Sequence, residues 1–525
     1  MSREQIDAGL AVLGIELGST RIKLVLVGES HEVLASGVHQ WENQLANELW
    51  TYSLDDVWEG LKQAFAQLQQ NVGDKFGTRI SDLKAIGVSA MMHGYLAFDD
   101  EDQLLVPFRT WRNTNTQLAA TELTELFGVN IPLRWSIAHL HQVVLEKAEH
   151  VPKISFLTTL AGYVHWKLTD RKVLGVGDAS GMFPIDSSTK NYDARMLSKY
   201  DALASARLLG KKLESVLPEV LIAGESGGVL SEAGSQLLDA SGSLRPGATL
   251  CPPEGDAGSG MIATNAVSPA TGNVSAGTSI FAMVVMDKPL SKVHHELDIV
   301  TTPMGDPVAM VHCNNGASEM AAWVSMFEKF SQLAGLEISS DDVYSLLFQE
   351  ATTGAADAGG LVAYNYLAGE PIAGINAGRP IFVRTPDSDF SLANAFRAQL
   401  YGVFATLNIG MQALFQEGVT LSRLSAHGGM FRSADVAQRF LSAAVRAPVS
   451  VSGTASEGGP WGMAILASFA QSGGSDLQEY LQNEVFIKDD SETVMASEVE
   501  IAGFEDYMAR YRSGLAIISK AVEVL

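Results

Sequence analysis

Twice in its 525 residues the chain runs through a strand-like apolar stretch, a short turn of glycine and hydroxyl residues, and a second apolar stretch. The first copy is VLGIELGSTRIKLVLVG, Val12 to Gly28, and the second is GNVSAGTSIFAMVV, Gly272 to Val285. β-Branched and aliphatic residues flank each turn, so a β-hairpin is the expected local structure. A tight hairpin needs only residues that tolerate positive φ, such as Asn-Gly. The turn Gly18-Ser19-Thr20 offers more: backbone N–H groups, two hydroxyls, the Glu16 carboxylate before it and the Lys23 cation after it. Those groups suit a phosphate and its metal. Taken alone, such a turn also reads as purely structural. Its recurrence about half a chain later, each time heading a mixed α/β stretch, implies a duplicated α/β domain.

Between and beyond the hairpins, Val57, Leu61, Ala64, Phe65 and Leu68 recur at helical spacing behind Ser53 and Asp55, which predicts a helix within Tyr52 to Val72. Leu83 to Ala90 reads as a buried strand. Further helices are expected at 116–127, 135–150, 157–168, 317–330 and 392–414, then a strand at 421–426 and a helix near 435–445. The stretch Leu244 to Gly272 is rich in Gly, Pro and Ala and reads as a boundary or cleft-lining segment. At this length two domains are the simplest count, cut here as 1–264 and 265–525.

With 36 Lys and Arg against 60 Asp and Glu, the formal net charge is -24. That argues against a duplex-binding surface or an anionic-membrane surface, both of which attract basic patches. An acidic protein that binds a nucleotide has to concentrate local positive potential, so each amide cradle, Lys or Arg near a glycine turn gains weight. The opening MSREQIDAGL lacks the apolar core of a secretion signal, and no run approaches a membrane span. A cytoplasmic protein is expected, with Cys251 and Cys313 as small core residues rather than a disulfide framework or a zinc site.

The two hairpins resemble the arrangement of actin-like, ribonuclease H-like ATPase domains around a central cleft. Within that superfamily the chain resembles the FGGY family of carbohydrate kinases, most of all its xylulokinase-type pentulose kinases, over nearly its whole length. GIELGSTRIK resembles the first phosphate motif, IGVSAMMHG the sugar-pocket strand and loop, and FLTTLAGYVHWKLTD the central helix signature. GDASGMFPID resembles the strand region after that helix, PEGDAGSG the catalytic segment, GNVSAGTS the second phosphate motif and LSAHGGMFRSADVAQRFLSAAV the adenosine motif. Each segment is weak alone; seven in the family's order are specific.

Phosphoryl transfer to an alcohol needs a base near the hydroxyl, neutralised phosphate charge and exclusion of water. The resemblance implies Asp256 as that base, flanked by Gly255, Ala257 and Gly258 so that a substrate can approach; an isolated Gly-Asp-Ala-Gly would otherwise read as an Asx turn. It implies ATP contacts at Gly18, Ser19, Thr20, Lys23, Gly277, Thr278, Gly428, Gly429 and Met430, and a water-mediated Mg2+ contact at Glu16, where most relatives have Asp. On the sugar side it implies Met92, His93, Trp111 and Arg112, together with Asp256. Met91 stands in place of the usual glutamine, and Arg112 and Asn113 replace an amide and a carboxylate, which opens the pocket to a differently hydroxylated or acidic sugar. Trp461 reads as a packing residue before an adenine stack. The implied activity is ATP-dependent phosphorylation of a primary hydroxyl of a free sugar such as D-xylulose. Another ketose, a polyol, a sugar acid, or a non-catalytic actin-like ATP-binding role are the alternatives. The implied first domain carries the sugar pocket, first phosphate turn and catalytic Asp; the second carries the other phosphate turn and the adenosine site. A small-molecule sugar is the expected partner, with a homodimer left open and no nucleic acid or membrane.

Overall fold

The computed structural model describes residues 2–432, 435–451, 458–487 and 491–525. They form two compact units: 1–267 with 298–308 and 457–488, and 268–297 with 309–456 and 489–525.

In the first unit, β1 (Val12–Leu17), β2 (Arg21–Val27) and β3 (Val33–Gln40) pair antiparallel. The chain then crosses through helix α1 (Leu54–Phe76) to β4 (Ala85–Ala90), which lies parallel to β1 and is buried along its whole length. Ser53 caps α1 by accepting from the Asp55 N–H at 3.1 Å, and the helix buries the apolar positions that define its spacing, Val57, Leu61, Ala64, Phe65 and Leu68. The Gly/Pro-rich stretch after Leu244, read as a boundary or cleft-lining segment, carries regular structure. It supplies β5 (Thr249–Leu250) and β6 (Glu254–Gly255), both parallel to β4, and then helix α2 (Asp256–Ala263). Two residues per strand are too few to show a period-2 pattern, and Pro252 and Pro253 between them mimic a loop.

The second unit repeats the plan. β7 (Thr271–Ala276) and β8 (Ile280–Val285) form the hairpin. After the largely buried helix α3 (Leu392–Gln416), β9 (Arg423–His427) lies parallel to β7 and β10 (Val449–Val451) parallel to β9. The duplicated α/β organisation expected from the two hairpins is therefore present, each hairpin continuing into parallel strands.

A single cut at 264/265 does not describe the units, because the chain returns to the first after building most of the second. Helix α4 (Gly458–Ser472) lies on β1 and β4. It sits so close that a Cβ at Gly14 would run into the Pro460 carbonyl, and one at Gly87 into that of Met463. Two smaller differences have local causes. The helix expected at 135–150 ends at Leu145, where Lys147 turns left-handed (φ 55°). The helix expected from 157 starts at Leu160 under a Thr159 cap, because Phe156–Thr158 pairs with Leu96–Phe98 as a strand. Helix α5 (Glu498–Val524), absent from the sequence reading, closes the second unit with Tyr507 and Tyr511 buried. Among the described residues no helix is long and apolar enough to cross a membrane.

Candidate active site

Strands β1, β4 and β6 end level with one another: Leu17 pairs with Ala90, and Ala90 with Gly255. The residues that follow, Gly18, Met91 to His93 and Asp256, therefore emerge side by side at the carboxyl edge of a parallel sheet, where open α/β folds bind ligands. Asp256 opens helix α2 behind an extended Gly255 (φ −75°, ψ 161°) and is exposed to solvent. Its Oδ1 accepts from the N–H of Met92 (3.2 Å) and of Ala257 (3.0 Å). Surrounding protein raises the Asp256 pKa above the usual carboxylate range by excluding water, although the residue itself stays accessible; the two N–H bonds and the Arg134 charge pull the other way.

Glu16, half-buried on β1, faces Lys23 across the β1–β2 ladder. Burial first, and the Asp256 charge second, push its pKa up to about 7, opposed by Arg21 and Lys23. The start of α4 closes over it: a Cβ at Gly459 would strike the Glu16 carboxyl and the Ser259 hydroxyl. Two carboxyl groups that disfavour each other's charge suit a hard divalent cation held through water and phosphate oxygens. Among the described residues no cluster of three His, Cys, Asp or Glu forms an all-protein cage. Glu16 with Asp256 nearby thus fits a water-bridged Mg2+ brought in with ATP.

Two further carboxyls lie beside Asp256 and were missed as site residues, although the segments containing them were singled out. Glu254 is buried against the short helix Val176–Ala179, accepting from the N–H groups of Asp178 (2.9 Å) and Gly177 (3.3 Å). Asp178 is fully buried; Oδ2 accepts from the Thr159 hydroxyl (2.6 Å), and Oδ1 has no partner. Burial is the main cause that raises Asp178 to about 7 and Glu254 to about 8. Both pKa values lie above those of the unfolded chain, so the folded state holds extra protons between about pH 4 and 8, and stability falls as pH rises through that window. We expect the melting temperature to drop between pH 5 and pH 8.5 and Glu254→Gln to shrink that drop; an equal drop in the variant would show that Glu254 does not cause it.

The sugar-side residues fall into two groups. Met92 and His93 are buried at 6% and 4% exposure, and His93 adopts a left-handed backbone (φ 67°) at the loop's tip. Its Nδ1 lies 3.2 Å from the Gly181 carbonyl and its ring stacks on Trp135. A carbonyl partner puts the proton on Nδ1 and leaves Nε2 as an acceptor. Asn113 is buried and wholly engaged by backbone: Oδ1 accepts from Trp50 N (2.9 Å), while Nδ2 donates to the carbonyls of Trp50 (2.8 Å) and Thr110 (3.0 Å). It anchors the loop. Arg112 beside it is exposed, its guanidinium 4.7 Å from the Trp50 ring centre and 5.9 Å from that of Trp111. The Trp111 indole N–H donates to the Ser19 hydroxyl at 3.1 Å. Trp461 packs in the first unit, its N–H on the His31 carbonyl (2.9 Å) and its ring against Phe486.

The first turn is held from behind. Trp41 Nε1 donates to the Gly18 carbonyl (2.7 Å), Tyr52 Oη to that of Ser19 (2.6 Å) and Trp41 N to that of Thr20 (3.1 Å). In the second unit the N–H groups of Ala317 and Gly316 hold the Gly277 and Thr278 carbonyls at 2.9 and 2.8 Å, leaving Gly277 and Thr278 exposed. The Ser275–His427 register brings Gly428 to this turn. Gly428 has φ 112° and its α-carbon abuts the Ala276 carbonyl, so only glycine fits. Gly429 is exposed, whereas Met430 is buried, so its side chain packs inward within the 3-10 turn Gly429–Arg432. Ser433 lies outside the described residues.

The N-terminal domain of the FGGY family of carbohydrate kinases matches residues 11–240 and its C-terminal domain matches residues 272–471. A gluconokinase from Bacillus licheniformis is 24% identical over 446 residues, covering 80% of each chain. A xylulose kinase from Staphylococcus xylosus is 20% identical over 453 residues, covering 80% of this chain and 82% of that one. The crystal structure of gluconate kinase from Lactobacillus acidophilus superposes with a TM-score of 0.78 at 18% identity, over 97% of this chain and 99% of that one. At that identity the likeness speaks for the fold.

Proposed function

This chain belongs to the FGGY family of carbohydrate kinases and is an ATP-dependent sugar kinase, and from that premise we propose that it phosphorylates a primary hydroxyl of a free pentulose such as D-xylulose, with Asp256 as general base. The observation that carries this reading is the common edge at which Gly18, Met92, His93 and Asp256 leave β1, β4 and β6. Asp256 Oδ2, not tied to the Met92 and Ala257 amides, takes the hydroxyl proton as the sugar oxygen attacks the γ-phosphorus of ATP, and ADP leaves. The Gly18–Thr20 turn, with Lys23, takes phosphate oxygens. Gly277, Thr278, Gly428, Gly429 and the backbone of Met430 take the nucleotide in the second unit. Glu16 would hold Mg2+ through water, and the ion would supply charge neutralisation for the transferring phosphate. His93 Nε2 accepts a hydrogen bond from a sugar hydroxyl, and Met92 lines the pocket floor. The reaction needs a compartment supplied with ATP, and the cytoplasm is the setting this reading assigns.

A second substrate class is favoured by one observation. The Arg112 guanidinium is exposed and lies over the Trp50 ring, where it is open to pairing with a carboxylate. Sugar-dependent ADP release measured on D-xylulose, D- and L-ribulose and gluconate, with the wild type and Arg112→Ala, decides between them. The pentulose reading expects the highest kcat/KM on a neutral pentulose and a change of less than about threefold in Arg112→Ala. A preference for gluconate that Arg112→Ala abolishes would replace it, since Arg112 would then be the partner of the substrate carboxylate.

A further inference from the structure

We propose that the indole N–H of Trp111 positions the ATP phosphates, acting through Ser19, and is not a hydrogen-bond donor to the sugar. This rests on the reading of Gly18–Thr20 as a phosphate turn. The three carbonyls of that turn accept from Trp41 and Tyr52, whose rings stack with centres 4.2 Å apart. The turn is therefore polarised: its carbonyl face is occupied from one side by an aromatic platform. Ser19 and Thr20 carry hydroxyls that could defeat this polarity, because a hydroxyl both donates and accepts, and it is the Ser19 hydroxyl that Trp111 reaches. An indole N–H can only donate, so Trp111 compels the Ser19 oxygen to accept (3.1 Å) and turns the hydroxyl hydrogen toward a different partner. Phosphate oxygens are pure acceptors and match that hydrogen. The same bond occupies the one polar group of Trp111, leaving it no donor for a sugar hydroxyl. Trp111 is also held to the segment that carries Arg112 and the backbone-bound Asn113, so the sugar-side loop and the phosphate turn are joined through one hydrogen bond.

The test is a double-mutant cycle on the whole enzyme with Trp111→Phe, Ser19→Ala and the double variant, reading KM for ATP, KM for the preferred sugar, kcat and melting temperature. Loss of one neutral hydrogen bond predicts that Trp111→Phe raises KM for ATP about fivefold, with KM for sugar changed less than about twofold and the melting temperature unchanged. In the Ser19→Ala background Trp111→Phe should add nothing further. A rise confined to KM for sugar makes Trp111 a sugar contact and overturns the proposal. So does the same fivefold factor persisting without the Ser19 hydroxyl. If Ser19→Ala itself leaves KM for ATP unchanged, the phosphate-turn reading fails, and that outcome is distinct from the other two.

Discussion

Asp256→Asn is expected to lower sugar-dependent ADP release by at least about a hundredfold, the low end of what a positioned general base contributes. The amide keeps the shape of the carboxyl and its Oδ1 can still accept from the Met92 and Ala257 N–H groups. Helix α2 should therefore start where it does now, with melting temperature and ATP affinity nearly unchanged. What the amide lacks is a site for the hydroxyl proton. Turnover within about tenfold of the wild type would remove Asp256 from the mechanism and direct attention to Glu16, the neighbouring carboxyl beside the same strand edge.

The second large effect is on stability. Gly14→Ala places a methyl group inside the space of the Pro460 carbonyl, which is backbone and cannot swing away as a side chain would. Helix α4 must lift from β1, and the contact at Gly87 against Met463 resists that movement. Overpacking of this kind costs about 3 kcal/mol, and thermal unfolding should begin about 5 °C or more below the wild type. Gly77→Ala is the control. Its φ of 64° strains an alanine, but open space surrounds it, so its loss should be the smaller. Equal losses would mean that the tight packing of α4 is not what Gly14 serves.

What could be read from the sequence was whatever is encoded locally. The hairpins announced themselves through apolar runs on both sides of glycine turns, and α1 through Ser53 and a helical row of apolar residues that the structure buries. The order of family-like segments located Asp256, because its glycine-rich flanks are contiguous in the chain. Long-range partnerships were not legible. Nothing near Trp111 points to Ser19, 92 positions away, and nothing near Asn113 points to the backbone of Trp50. Asp178 and Glu254 meet only after folding, 76 positions apart. One clue was available: Gly175, Gly177 and Gly255 crowd these two segments, and the structure presses each of them against Glu254 or Met92. Helix α5 also had a readable start in Ser497 and Glu500, whose side chain and backbone groups cap each other.

The return of α4 to the first sheet has a consequence for biosynthesis. β1 leaves the ribosome long before α4, and the face of it that Gly14 leaves bare for α4 has no cover until residue 472 has been added. At ordinary elongation rates of about 5–20 residues per second, a nascent chain carries that uncovered apolar surface for roughly 20 to 90 s. The second unit's hairpin and α3 are made within that interval, so its interior can consolidate first, reversing the usual order in which the N-terminal part folds ahead of the rest. A chain released early, anywhere before α4, should present the bare sheet face as a chaperone-binding and aggregation-prone surface rather than as a smaller working domain.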